Sequence, residues 1–250
     1  MRSLVTFDLV GPMAHFRKFY TNSSSLSYKI PPRTVLAGIV AALLGLERDS
    51  YYDDLSMEHA RIGVSLETPV RSYMQTVNYL FTKNEGWDGC RGHTQIPVEF
   101  VLPSCPLKLI RYKVHFAHVN EEFTQELAEQ LLASRYKYPI YLGLSECPAW
   151  IESPKLYENN ELQIFPSSGE RFFIKTALAI SRLSGDLKLR EGIRLYKDRM
   201  PFDFYSDRRI KAVDDVLWEE NGRALEVPVN GEVFKLQDHD HFGVFLEFQQ

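Results

Sequence analysis

Between Gly11 and Arg33 the chain collects His15, Arg17, Lys18, Tyr20, Thr21, Asn22, three consecutive serines, Tyr28 and Lys29. Guanidinium and ammonium groups neutralise phosphates, aromatic rings stack on bases, and hydroxyls and amides address base edges and 2′-hydroxyls. This is the mixture an RNA-binding segment needs. A solvated loop pinned to the core by its aromatics has the same composition. A second group is Arg71, Tyr73, Gln75, Asn78 and Tyr79, followed by a turn-rich stretch at 82–92 that contains Arg91, and then His93 and Gln95. Two strand-like arms around such a stretch describe an extended hairpin, which either wedges between bases or simply projects from the surface. In Gly143-Leu144-Ser145 the glycine either lets the backbone approach a phosphate or marks a bulge.

Three other groups carry weaker signals. Arg111 and Lys113 fall on one face of a strand and Lys108 on the other; edge-strand cations also protect against aggregation. Asp238-His239-Asp240-His241 puts two imidazoles on one strand face, but no third metal ligand is identifiable. His15, Lys18, Tyr20 and His93 contain a base, an acid and a cation. They would suit a metal-independent ribonuclease if the two halves of the set met in space. Nucleophile-elbow, Walker, HExxH and dinucleotide-binding motifs are absent. No metal or other cofactor is expected.

The elements that must position these residues follow from periodicity. Residues 4–10 alternate as a strand, ended by Gly11-Pro12. Pro31-Pro32 precedes an almost wholly apolar helix, 34–46, which must be buried. Strands are expected at 61–81, 97–102 and 107–117, a helix from Asn120 to about Arg135, and a fourth strand at 139–144. Asn120 is a good N-cap, and Phe123, Leu127 and Leu131 form an apolar stripe. The order β, α, β, β, α, β predicts an α+β fold with a ferredoxin-like, RRM-type domain over 1–148. Such a sheet carries its helices on one face and leaves the other for ligands. Residues 149–250 read as a β-rich region. Asn221-Gly222 and Asn230-Gly231 predict hairpins in a meander from 211 to 248.

The 250 residues carry 29 basic and 33 acidic side chains, a formal net charge of −4. That total argues weakly against a nucleic-acid partner, but it is unevenly spread. Residues 1–46 hold five basic residues and one acid; the last fifty hold five basic and eleven acidic. RNA is therefore expected at the basic head, with the acidic tail facing solvent or protein. The longest apolar run, 35–46, is too short for a membrane span of roughly 20 residues. The start lacks a signal peptide's apolar block. Three cysteines without a CxxC spacing fit a reducing cytoplasm.

Several stretches together resemble one known family. They are Gly11-Pro12-Met13-Ala14-His15-Phe16-Arg17, Tyr20-Thr21, Tyr28-Lys29-Ile30-Pro31-Pro32-Arg33-Thr34, Gly38 and Leu43-Leu44-Gly45-Leu46. To these add His93-Thr94-Gln95-Ile96-Pro97, and Tyr141 through Pro148. The pattern is similar to CRISPR-associated protein family five, most of all its type I-B branch. Met200-Pro201-Phe202-Asp203 and Asp207-Arg208-Arg209 are similar to its C-terminal part. The likeness covers the first 150 residues closely and the remainder loosely.

The resemblance implies a ferredoxin-like domain with a long β-hairpin thumb, here about 71–95. It implies a non-catalytic subunit of a Cascade effector complex that binds the 5′ handle of the CRISPR RNA. Its partners would be the Cascade backbone subunit and the large, PAM-reading subunit, with no membrane. By the same likeness the handle would meet His15, Arg17, Lys18, Tyr20, Thr21, Asn22 and Arg33. The thumb would supply Arg71, Tyr73, Gln75, Asn78, Arg91, His93 and Gln95, and Gly143 and Ser145 would lie near RNA backbone. Arg33 also opens a buried helix, where it can instead satisfy local carbonyls. In the type I-C branch the same scaffold processes precursor RNA, so an endoribonuclease is the alternative function.

Overall fold

The computed structural model describes residues 2–22, 24–81, 90, 92–188 and 190–248. Strand β1 (Ser3–Gly11) is buried along its whole length. β2 (Phe16–Arg17) and β3 (Ser27–Tyr28) pair with each other and close the basic segment into a loop. Helix α1 (Arg33–Leu44) starts at Pro32, whose fixed φ suits a helix entry, and stops at Gly45 in the left-handed region. Its Leu36, Val40 and Leu43 join Phe7, Val64, Val114 and Phe116 in the main core.

Strands β4 (Ala60–Leu66), β5 (Val70–Leu80), β6 (His93–Pro103) and β7 (Ile110–His118) follow. Helix α2 (Glu121–Leu132) is capped by the Asn120 side chain, which accepts from the Glu122 N–H at 3.1 Å. β8 (Trp150–Glu158) completes an antiparallel sheet of order β4-β7-β1-β8. The element order expected from periodicity is present, but its last strand lies later than expected. Residues 139–144 form no strand. Leu142 and Cys147 bond across a turn instead, leaving one bridge between Tyr141 and Pro148. The boundary drawn at 148 would cut β8 away from the sheet it completes.

The second half is built from β9 (Leu162–Ile174), β10 (Leu178–Ala179), β11 (Leu195–Phe204), β12 (Ile210–Glu219), β13 (Leu225–Leu236) and β14 (Phe242–Gly243). β12 lies between β10 and β11, while β9, β13 and β14 pair with one another. Neither Asn-Gly dipeptide makes the hairpin expected of it. Asn221-Gly222 joins β12 to β13, which do not pair. Gly222 has a φ of +75°, and a Cβ there would lie 2.1 Å from the Leu66 carbonyl oxygen, so glycine serves a close chain crossing. Asn230-Gly231 lies inside β13, where its register against β9 shifts. The strand expected at 244–248 does not form; Val244, Phe245 and Leu246 are buried, and the Leu246 N–H donates to the Ile62 carbonyl.

The sheet face opposite the helices is covered at one end by the second half. Leu4, Ala117 and Tyr157 pack there against Leu162, Phe234, Leu236 and Phe245 of the second half. Side chains this apolar demand cover, so this end of the face serves as a core, while Arg111 and Lys113 on the same face stay partly exposed and pair with Asp8.

Arg33 binds the two halves from inside. It is 1% exposed, and its guanidinium donates to Asp203 at 2.7 Å and to the carbonyls of Phe202, Leu55 and Ala60. Burial lowers its pKa to about 10, partly offset by Asp203, so it stays charged at neutral pH. The resemblance places Arg33 against RNA. The structure corrects this, because every donor that finds a partner faces inward. Arg33→Met would leave the Asp203 carboxylate buried without its cation. A loss of about 3–5 kcal/mol in urea unfolding is expected, with Asp203→Leu in the same chain restoring part of it.

His115, buried beneath the second half beside the Phe234 ring, has its pKa held well below the ordinary value by burial and by His239, Lys113 and Lys175. It stays neutral in the fold, whereas in the unfolded chain it protonates near pH 6.5. Stability should therefore fall as pH drops below about 6.5, with a slope of up to about 1.4 kcal/mol per pH unit from this one group. Denaturant midpoints from pH 7.5 to 5 for the native chain and His115→Phe should show the slope reduced in the variant.

Candidate nucleic-acid interface

The loop between β1 and α1 runs along the free edge of β6. Ala14 and Val101 exchange backbone hydrogen bonds at 2.9 and 2.8 Å. Ser25 donates to Pro97 and accepts from Glu99, whose carboxylate also takes the Ser27 N–H at 2.9 Å. The basic segment and the hairpin β5–β6 therefore meet, which neither reveals alone. The turn after 142 joins them through the His15 N–H, which donates to the Leu142 carbonyl at 2.9 Å. A cleft of about 190 Å³ forms where the three converge, lined by His15, Arg17, Asn22, Ser25, Tyr79 and Leu144 among others.

The hairpin sorts its residues by face. Its register pairs Tyr73 with Phe100, Gln75 with Val98 and Val77 with Ile96. Alternation then puts Arg71, Tyr73, Gln75 and Tyr79 on the face toward the cleft, and Asn78, His93 and Gln95 on the opposite face. Arg71 lies 5.9 Å from the centre of the exposed Tyr73 ring. Arg91 and most of the 82–92 stretch lie outside the described residues.

Within the loop, the cations have different fates. Arg17 is exposed, makes one 3.4 Å bond to the Thr21 carbonyl, and has no carboxylate partner among the described residues. Asn22 is exposed beside it. Lys18 instead pairs with Asp198 of β11 at 2.5 Å, and the Tyr20 hydroxyl donates to the same carboxylate at 2.8 Å. Burial opposes the Lys18 charge, but Asp198 outweighs it and holds the ammonium above its ordinary pKa. Burial and Asp198 likewise push the Tyr20 phenol up. Both stay protonated near neutral pH, so neither supplies a base there. Thr21 donates to the Lys18 carbonyl and folds the loop tip.

His15 is 2% exposed. Its Nδ1–H donates to the Glu99 carbonyl at 2.8 Å, and its Nε2 lies 3.0 Å from the Ser25 hydroxyl. It fastens loop to hairpin from the cleft floor. His93 lies on the hairpin's other face, and Lys18 and Tyr20 are drawn to Asp198. The four residues considered for ribonuclease chemistry are thus not gathered into one cluster. Ser145 is exposed and bonds Glu146. Arg111 and Lys113 share one face as expected, but both are paired with Asp8. The Asp238 carboxylate is taken by Lys155 and Tyr157. Among the described residues no group of three or more His, Cys, Asp or Glu is placed to hold a metal, and no helix is long and apolar enough to cross a membrane.

A family model described as CRISPR-associated protein (Cas_Cas5) matches residues 4–213. The chain belongs to this family. Among solved structures, a CRISPR protein from Archaeoglobus fulgidus shares the fold, with a TM-score of 0.59, 12% identity, and 97% of this chain and 99% of that one covered. A chain of a CRISPR RNA-guided surveillance complex aligns at a TM-score of 0.49 and 13% identity, over 91% of each chain. No curated protein matches.

Asp198 and Glu99, which organise this Cas5-family site, are not among the residues that sequence reasoning singles out. Nothing local to Lys18 signals a partner so distant along the chain. Glu99 stands in a strand, where its bond to the Ser27 N–H becomes visible only when the loop is placed. Gly143 is explained by the same packing. With a φ of +96°, its Cβ would lie 1.9 Å from the His15 carbonyl oxygen, so the close approach seen here is to protein backbone. Gly143→Ala should displace the loop and cost roughly 2 kcal/mol or more, since φ is positive and the neighbour is backbone. Thermal melting together with amide exchange at 14–25 checks this. Unchanged protection there would show that the turn does not hold the loop.

Proposed function

We propose that this chain is a non-catalytic, RNA-binding subunit of a type I CRISPR effector complex, holding the 5′ handle of the CRISPR RNA in the cleft between the 14–25 loop and hairpin β5–β6. The observation that carries this reading is the joining of loop, hairpin and 142–145 turn around one cleft. Arg17 and Tyr79 line the cleft, and Arg71 and Tyr73 stay exposed on the same hairpin face closer to its base, offering a further cation and ring to a strand that continues along it. Arginine with aromatic rings on a rigid hairpin suits a single strand threaded past its base. The sheet order β4-β7-β1-β8, with β1 and β7 central and both helices on one face, supports a ferredoxin-like, RRM-type reading of the first half. We place the chain in the type I-B branch on its N-terminal motifs, in the cytoplasm, with the Cascade backbone and PAM-reading subunits as its partners.

Arg17→Ala with Arg71→Ala should weaken binding of a 5′-handle oligoribonucleotide by about tenfold. The slope of log affinity against log salt should become shallower by about 1.4, because two phosphates are no longer neutralised, at roughly 0.7 each. Fluorescence anisotropy across a salt series measures both, and unchanged affinity with an unchanged slope refutes the site. Incubation of the pure protein with repeat RNA in EDTA should give no cleavage; cleavage would establish the endoribonuclease instead.

A further inference from the structure

The acidic second half carries a second basic surface. On the far half of the molecule a groove of about 440 Å³ opens where the end of β9, the residues Lys188, Arg190 and Ile193, and the start of β13 meet. Phe173, Lys175, Lys188, Arg190, Arg223 and Glu226 are among its lining residues, so four cations face one carboxylate. Lys175 is engaged by Glu67, and Arg190 by Glu226 at 3.1 Å. Lys188 and Arg223 have no carboxylate partner among the described residues, and both are exposed. Arg223 is aimed by one bond from its guanidinium to the Gly192 carbonyl at 3.2 Å. The Arg190 guanidinium sits 4.9 Å from the centre of the Phe173 ring, which is 39% exposed. That stack presents a flat, charged plate to solvent, its orientation set by the ring beneath it and its position by Glu226. The groove shares no lining residue with the cleft beside β6.

We propose that this groove is a second nucleic-acid contact surface, which takes the phosphodiester backbone of a single strand. Lys188 and Arg223 neutralise successive phosphates, and an unpaired base lies on the Arg190–Phe173 plate. A duplex is a poor fit, because its bases are stacked away from such a plate. Nothing in the groove reads a base edge specifically, so the contact is tolerant of sequence. It requires a strand other than the stretch held in the cleft, or a continuation of that strand across the molecule.

The test uses the full chain and single-stranded RNA and DNA of the same mixed sequence, each carrying a photoreactive thio-pyrimidine. Crosslinked peptides should include Phe173 and the 187–194 segment as well as the cleft. Arg190→Ala with Arg223→Ala should remove the groove crosslinks, weaken binding several-fold and reduce the salt slope by about 0.7, as expected for the one phosphate that Arg223 neutralises. Crosslinks at the cleft should persist. Both side chains are exposed, so the melting temperature should hold; if it falls, Arg190→Glu with Arg223→Glu on a chain stabilised elsewhere gives the same readouts. Arg17→Ala with Arg71→Ala should spare the groove crosslinks, so failure of the cleft assignment and failure of this one are told apart. Equal crosslinking of RNA and DNA identifies the phosphodiester as the element recognised, and a preference for RNA adds a 2′-hydroxyl contact. Crosslinks confined to the cleft, with affinity and slope unchanged in the groove variant, overturn the proposal. Loss of complex assembly with intact nucleic-acid binding would overturn it too, assigning the groove to an acidic protein surface.

Discussion

The paired backbone hydrogen bonds between Ala14 and Val101, continued by Ser25 along β6, hold the site together. A two-stranded hairpin standing alone in water is marginal. Here its base gains a third line of backbone pairing from the loop, and Val98 and Val101 are buried. The same bonds order the loop, whose length and polarity would otherwise leave it mobile. Loop and hairpin each supply what the other lacks, and the cleft exists only where they join. His15 and Gly143 belong to this seam: one bonds across it and the other permits the close approach of a third segment.

Charge is managed by pairing at long range. Of the five cations in the first 46 residues, Lys18 is taken by Asp198, Lys29 by Glu220 and Arg33 by Asp203. All three acids belong to β11 or to the turn after β12. The basic head and acidic second half are thus two sides of one interface. The imbalance between the chain ends mostly reports how the halves bind each other, and only partly where RNA would lie. Arg182 has a like role inside the second half, donating from a buried position to the carbonyls of Asn230, Glu232 and Phe245. Guanidinium suits both places because its five donors fork toward several carbonyls at once.

Periodicity and capping are legible where the controlling contacts are local. Helix α2 follows from Asn120 and its apolar stripe, and α1 from the paired prolines and the apolar run. The 139–144 stretch imitates a strand because a short apolar run before a glycine looks alike in a strand and in a tight turn. The two Asn-Gly dipeptides mislead for a related reason. Positive φ is what such a dipeptide announces, and a hairpin is only one use of it. Gly222 uses it to cross the Leu66 carbonyl, and Gly231 sits in mid-strand against the Arg182 guanidinium.

The residue types of the interface, the hairpin that carries half of them, and the order of helices and strands are local properties. Neighbouring side chains and backbone preferences determine them, so they can be read along the chain. Which cations stay available for a phosphate is not local. Lys18, Arg33 and Lys29 look as suited as Arg17 until the fold brings up carboxylates 170 to 191 positions away. The covering of the sheet face by the second half, and the groove at Phe173, Arg190 and Arg223, likewise depend on how distant strands pack. Ion pairing and burial act through space, and only the folded chain sets those distances.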